Sequence, residues 1–202
     1  MGDKSRVFVR IHQPNRPIWA WTGSLWVGAV VTGVGLADRL PAPWIIAGLA
    51  LLAAVAERQS VPLTRNTEAS VAFLPFVFAA VAFGPFAALV VGALAGVGDF
   101  RRPYLRWAVY LPVRALTAAA AGFAASAVRG PTELNTLGAI LLATLAASIA
   151  NLAADLFFNL GTQAVRRSGT PYAFLRALAP LLFVQNLLYT PLVALLVYGY
   201  RL

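Results

Sequence analysis

Residues 69–98, ASVAFLPFVFAAVAFGPFAALVVGALAGVG, carry no charged side chain, and the number of times this stretch crosses a lipid bilayer decides the fold. As one helix it would be about 45 Å long at 1.5 Å per residue, well beyond a hydrocarbon core of about 30 Å. Gly84-Pro85 stands near its middle, where proline removes a backbone donor and the preceding glycine bends readily. The stretch therefore reads as two short apolar segments joined by a tight turn.

The sidedness of charge supports that division, because cytoplasmic loops of membrane proteins are enriched in Lys and Arg. Uncharged runs from Ile18, Pro41, Ala69, Pro103, Leu134 and Ala177 give seven segments once 69–98 is divided. With the N-terminus inside, one side collects Lys4, Arg6, Arg10, Arg16, Arg58, Arg65, Arg101, Arg102, Arg106, Arg166, Arg167 and Arg176. The other side has only Arg39, Arg129 and Arg201. A single crossing at 69–98 would even the distribution to eight against seven. A re-entrant pair at Gly84-Pro85 gives the same parity as a full hairpin, so the count is six to seven transmembrane segments.

Composition agrees with a membrane domain and removes most other classes. The chain of 202 residues is 60% hydrophobic and 11% charged, against about 45–50% and about 25% for soluble domains. Its net charge of +9 is dispersed between apolar runs, which favours the lipid bilayer over nucleic acid as its environment. Fifteen of the sixteen basic residues are Arg, a bias that points to a high-GC bacterium and hence to the bacterial cytoplasmic (inner) membrane. The expected fold is an all-α, polytopic integral membrane helix bundle. A basic cytoplasmic arm covers residues 1–17, and a single transmembrane domain covers 18–202. The first apolar run is too long for a signal-peptide core and reads as a retained helix.

With no Cys and His12 the only His, thiolate metal sites, imidazole clusters and haem ligation have no residues to use. No phosphate-binding loop or dinucleotide fingerprint is present. The only Lys, Lys4, lies in the arm, so a retinal Schiff base is excluded as well. An enzyme is not expected, nor is a metal or a cofactor.

The sixth segment carries Thr144, Ser148, Asn151, Asp155, Asn159 and Gln163 at spacings of three and four, a continuous polar stripe on one helix face. Such a stripe belongs inside the bundle, since an ionisable group in hydrocarbon costs at least about 2.5 kcal/mol. The fifth segment places Tyr110 and Arg114 on one face, and the seventh brings Gln185 and Asn186 to similar depth. Counting along the helices puts Arg114 and Asp155 level, which predicts that they pair. Arg114, Asp155, Asn159, Gln185, Asn186, Asn151 and Tyr110 are accordingly the candidate ligand-binding residues. Interhelical hydrogen bonding that serves packing alone is the equal alternative. Glu57, Glu68 and Asp99 read as interfacial, and the polar stretch 57–68 as a connector or a cap. Small residues at four-residue spacing, Ala50 and Ala54 in the second segment and Ala88, Gly92 and Gly96 in the fourth, allow close helix approach. They serve internal packing or the docking of a membrane protein partner.

The stretch from Glu57 to Phe100, with its charged loop and SVAFLPFVFAAVAFGPFAALVVGALAGVGDF, resembles the substrate-binding S components of energy-coupling factor transporters. These are small all-helical membrane proteins with a Gly-Pro between the second and third helices and a Gly-Asp at the end of the third, matched here by Gly84-Pro85 and Gly98-Asp99. S components usually have six helices, so the first helix here is additional. The chain also resembles the N-terminal membrane region of bacterial cyclic-dinucleotide signalling proteins, through Asn159 and Arg166-Arg167 to the end. The first resemblance implies a solute-binding subunit that captures a small polar molecule and relies on a membrane protein partner for energy. The second implies a non-catalytic accessory or sensory module docked on a larger membrane complex.

Overall fold

The computed structural model describes residues 16–37, 40–59, 61–64, 67–69, 72–97, 100, 104–129, 136–166 and 171–202. All of the basic arm before Arg16, together with Asp38-Arg39, Arg65-Asn66, Gly98-Asp99 and Arg101-Arg102, lies outside the described residues. Among the described residues the chain forms α1 (Arg16–Gly35), α2 (Pro43–Arg58), β1 (Val61–Thr64), β2 (Thr67–Ala69), α3 (Phe73–Phe83), α4 (Pro85–Val97), α5 (Tyr104–Arg129), α6 (Leu137–Arg166) and α7 (Pro171–Arg201).

The apolar stretch divides at Gly84, the single residue between α3 and α4. Its φ of 91° and ψ of −174° belong to a region essentially reserved for glycine. Pro85 then opens α4, where its fixed φ suits a first helical position and its missing N–H costs nothing.

Contacts between side chains fix the helix directions. Gly122 of α5 meets Pro85 at the start of α4, and Gly96 near its end meets Leu111, so α4 and α5 are antiparallel. Tyr110 of α5 meets Asn159 of α6, and Ser148 of α6 meets Thr190 of α7, which makes α5, α6 and α7 an antiparallel series. Phe73 packs on Tyr189 while Phe83 packs on Tyr200, so α3 runs with α7 and against α4. The turn at Gly84 is thus a true reversal, a short helical hairpin.

Among the described residues four helices are long and apolar enough to cross a membrane: 16–35, 104–128, 137–166 and 182–201. With 16, 11 and 13 residues, α2, α3 and α4 fall below the roughly 20 residues that a full crossing needs. Among the described residues the bundle has seven helices, four of which qualify as spans by length and composition where the sequence reading expected six to seven crossings. The hairpin helices α3 and α4 lie inside: Phe76, Val77, Ala79, Ala80 and Val81 of α3 and Ala87, Ala88 and Val91 of α4 are buried in the main core. By contrast Val27, Val30, Val31 and Val34 of α1 and Leu187, Leu188, Leu195 and Leu196 of α7 are exposed, as lipid-facing surfaces should be.

Two features depart from a purely helical reading. In and just past the stretch 57–68, expected as a connector or a cap, residues 61–64 pair antiparallel with 67–69, with Val61 opposite Ala69, Pro62 opposite Glu68 and Thr64 opposite Thr67. β-Branched residues at 61, 64 and 67 favour strand geometry, and Pro62 sits beside the register irregularity where a lost ladder bond is tolerated. Secondly, α5 continues through Pro112. Proline at 112 deprives the carbonyl of Ala108 of its usual intrahelical partner, and the indole N–H of Trp26 on α1 donates to that oxygen at 2.9 Å. In the same way Trp107 donates to Gly96 O in the last turn of α4 at 3.0 Å, where helix carbonyls lack intrahelical donors.

The small-residue notches are filled from within the chain. A Cβ at Gly92 would press on the backbone carbonyl of Arg114, and Ala88 and Ala50 are buried in the main core. Ala50, Ala88, Gly92 and Gly96 thus face the interior of the chain, chiefly in the packing of α4 on α5. Ala54 is half-buried.

A polar column between the fifth, sixth and seventh helices

The polar stripe of α6 turns into the bundle. Thr144, Ser148 and Asn151 are buried, and Asp155, Asn159 and Gln163 are half-buried. Their spacing keeps them on one face, and the antiparallel neighbours bring matching residues to each level.

At the most enclosed end, Thr144 donates to Ile140 O, and Thr190 of α7 lies 3.0 Å from Ser148 Oγ and 2.7 Å from Asn186 O. One turn along are Asn151 on α6 and Asn186 on α7. Asn186 Nδ2 donates to Leu182 O at 2.8 Å. The side-chain carbonyl oxygens of both, Asn151 Oδ1 and Asn186 Oδ1, are buried and have no hydrogen-bond partner. Relative exposures of 7% and 8% leave them no contact with bulk water. Such an atom costs about 1–3 kcal/mol when unsatisfied, and the two stand on neighbouring helices one turn from the Ser148–Thr190 contact.

The next level is charged. Arg114 of α5 forms an ion pair with Glu57, the second-last residue of α2. Asp155 of α6 lies within electrostatic reach of both. The expected Arg114–Asp155 pair is thus corrected: Asp155 is the second carboxylate around an arginine whose direct partner is Glu57. Depth counted from loop ends could not find this, because it treats every helix as a full crossing and places Glu57 at the interface. The short α2 ends where Arg114 can reach it.

Beyond the charges, Asn159 donates through Nδ2 to Asp155 O at 2.8 Å, and Tyr110 OH makes a long contact of 3.5 Å to Asn159 Oδ1. Gln185, next to Asn186 in sequence, is half-buried. The structure therefore brings Asn151 and Asn186 together at one level, Arg114 and Asp155 at the next, and Tyr110 and Asn159 beyond. Sequence reasoning missed Glu57, Thr190, Thr162 and Trp21 as members of the column. Of these Thr162 and Thr190 carried a visible signal, their spacings of three from Asn159 and four from Asn186. Groups of three or more His, Cys, Asp or Glu suited to a metal are absent among the described residues.

The family model described as ECF-type riboflavin transporter, S component, matches residues 45–201. The chain belongs to that family. This S component is accordingly a membrane substrate-binding subunit of a transporter, in a family whose members work with membrane protein partners and are not catalytic. The match covers α2 to α7 and leaves α1 outside, in keeping with the additional first helix. No curated protein and no solved structure matches the chain.

Proposed function

We propose that this S component binds riboflavin, or a close flavin relative, in the polar column, and delivers it with a membrane partner that supplies the energy. The observation that carries the reading is the pair of buried, unpaired oxygens of Asn151 and Asn186. A flavin offers suitable donors in its imide N–H and its ribityl hydroxyls, and its ring system is apolar enough to enter a bundle core. Arg114, Asp155, Asn159, Gln185 and Tyr110 orient the rest of the solute, since a few placed polar groups in an apolar cavity fix orientation. Seven segments in the bacterial inner membrane, with the N-terminus in the cytoplasm, complete the proposal; the asymmetry of Lys and Arg supports that orientation.

The test is titration of riboflavin with the purified protein, followed by flavin fluorescence. Saturable quenching is expected, with affinity falling about tenfold or more for Asn151→Leu or Asn186→Leu, the range a stranded hydrogen-bonding group implies. Absence of quenching by the folded wild type overturns the reading.

A further inference from the structure

Beyond Asn159 the polar stripe of α6 meets α1, a helix outside the family-matched region. Thr162, on the α6 stripe three residues beyond Asn159, is buried, and its hydroxyl is fully engaged. It donates to Phe158 O at 2.8 Å and accepts from the indole Nε1 of Trp21 at 3.1 Å. Trp21 belongs to α1, which precedes the matched residues 45–201. Its ring packs against Gly161, where a Cβ would come within 2.7 Å of Cζ2. Around it Leu25, Val109 and Val113 form a buried apolar cluster with Phe158 packed against them. A second indole, Trp26, fixes α1 to the Ala108 carbonyl that Pro112 leaves free.

We propose that α1 is the seal of the column: Trp21 closes its Thr162 end to water. The contrast along the stripe supports this. At Asn151 and Asn186 polar atoms are buried and unpaired, whereas at Thr162 the protein itself, through a helix outside the family pattern, satisfies the buried hydroxyl with an indole N–H. An aromatic ring suits the task, combining a large apolar area with one donor at its edge. The functional meaning, a solute site open from one side only, rests on the solute-binding reading, but the seal itself does not.

The natural chain has no cysteine, so a single Asn159→Cys in the full-length protein, reconstituted in lipid, reports directly on water access. Its labelling rate with a charged, water-soluble maleimide is expected to rise at least tenfold when Trp21→Ala is added. Gly161→Ala, which displaces the ring, should raise it as well, and Trp21→Phe by less. Trp19→Ala, on the exposed side of α1, should leave it within twofold. If Trp21→Ala does not fold, Gly161→Ala and Trp21→Phe carry the test. Unchanged labelling in folded Trp21 and Gly161 variants overturns the seal, and so does an equal rise with Trp19→Ala. Riboflavin titration of the wild type and of Trp21→Ala, both with Asn159 intact, separates the two readings. Labelling that responds to Trp21, with a wild type that binds no flavin, supports the seal and removes the solute reading. Flavin binding with unresponsive labelling removes the seal alone.

Discussion

Glu57, at the end of α2, is the ion-pair partner of Arg114, in the interior of α5, and Asp155 of α6 is the second carboxylate near that arginine. One guanidinium thus serves two acids on two different helices. The pair joins the point where the chain leaves α2 for the β-hairpin to the middle of the polar column.

This arrangement predicts an order of damage. Arg114→Leu leaves Glu57 and Asp155 facing each other without a cation, and should cost about 3–5 kcal/mol, the range for stranding a buried charge. Glu57→Leu leaves Arg114 with Asp155 and should cost clearly less. Unfolding midpoints in detergent measure both. Equal losses would mean that Asp155 gives Arg114 no support.

The hairpin between α3 and α4 depends on one backbone conformation. Gly84→Ala should destabilise by about 1–3 kcal/mol, the usual strain of a side chain in such a region, although no atom lies within 4 Å of the Cβ it would add. Thermal unfolding of the variant tests this. A neutral substitution would show that the turn relaxes into another conformation.

Pro112 and Trp26 should be coupled. Trp26→Phe keeps an aromatic ring but leaves Ala108 O without a donor, a loss of about 1–3 kcal/mol for a buried carbonyl. Pro112→Ala restores the helical N–H, so in that background Trp26→Phe should cost less. A double-mutant cycle on unfolding free energy reads the coupling directly, and strict additivity would separate the two residues.

These relationships mark how far the sequence could be read. The reversal at Gly84-Pro85 was legible because a 30-residue uncharged run is too long for one crossing and carries its own breaker. So was the inward polar face of α6, since a stripe at spacings of three and four has one place to go in lipid. The partner of Arg114 was not legible, because ion pairing depends on where α2 ends in space, and depth counting assumes helices of full length. The β-hairpin was hidden for a related reason: seven residues of strand carry too little periodicity to stand out from a polar connector. Trp26 on Ala108 O escaped because Pro112 announces a free carbonyl without saying which helix supplies the donor.

The last prediction separates a binding site from packing glue at Asn151 and Asn186. If their amides serve only to hold α6 and α7 together, replacing both with Leu should lower the stability of the ligand-free protein. The geometry argues otherwise, because both carbonyl oxygens are buried without a partner and the amide of Asn186 bonds only within its own helix, to Leu182 O. Removing two unsatisfied acceptors should leave the ligand-free double variant as stable as the wild type, or more stable by about 1–3 kcal/mol. The ligand should then stop stabilising it. A bound solute at one hundred times its Kd adds about 2.7 kcal/mol to a folded protein, so riboflavin should raise the wild-type unfolding midpoint by several degrees and leave the Asn151→Leu, Asn186→Leu variant unmoved. Loss of stability without ligand, with the riboflavin shift retained, would assign both residues to packing and move the solute toward Arg114 and Asp155.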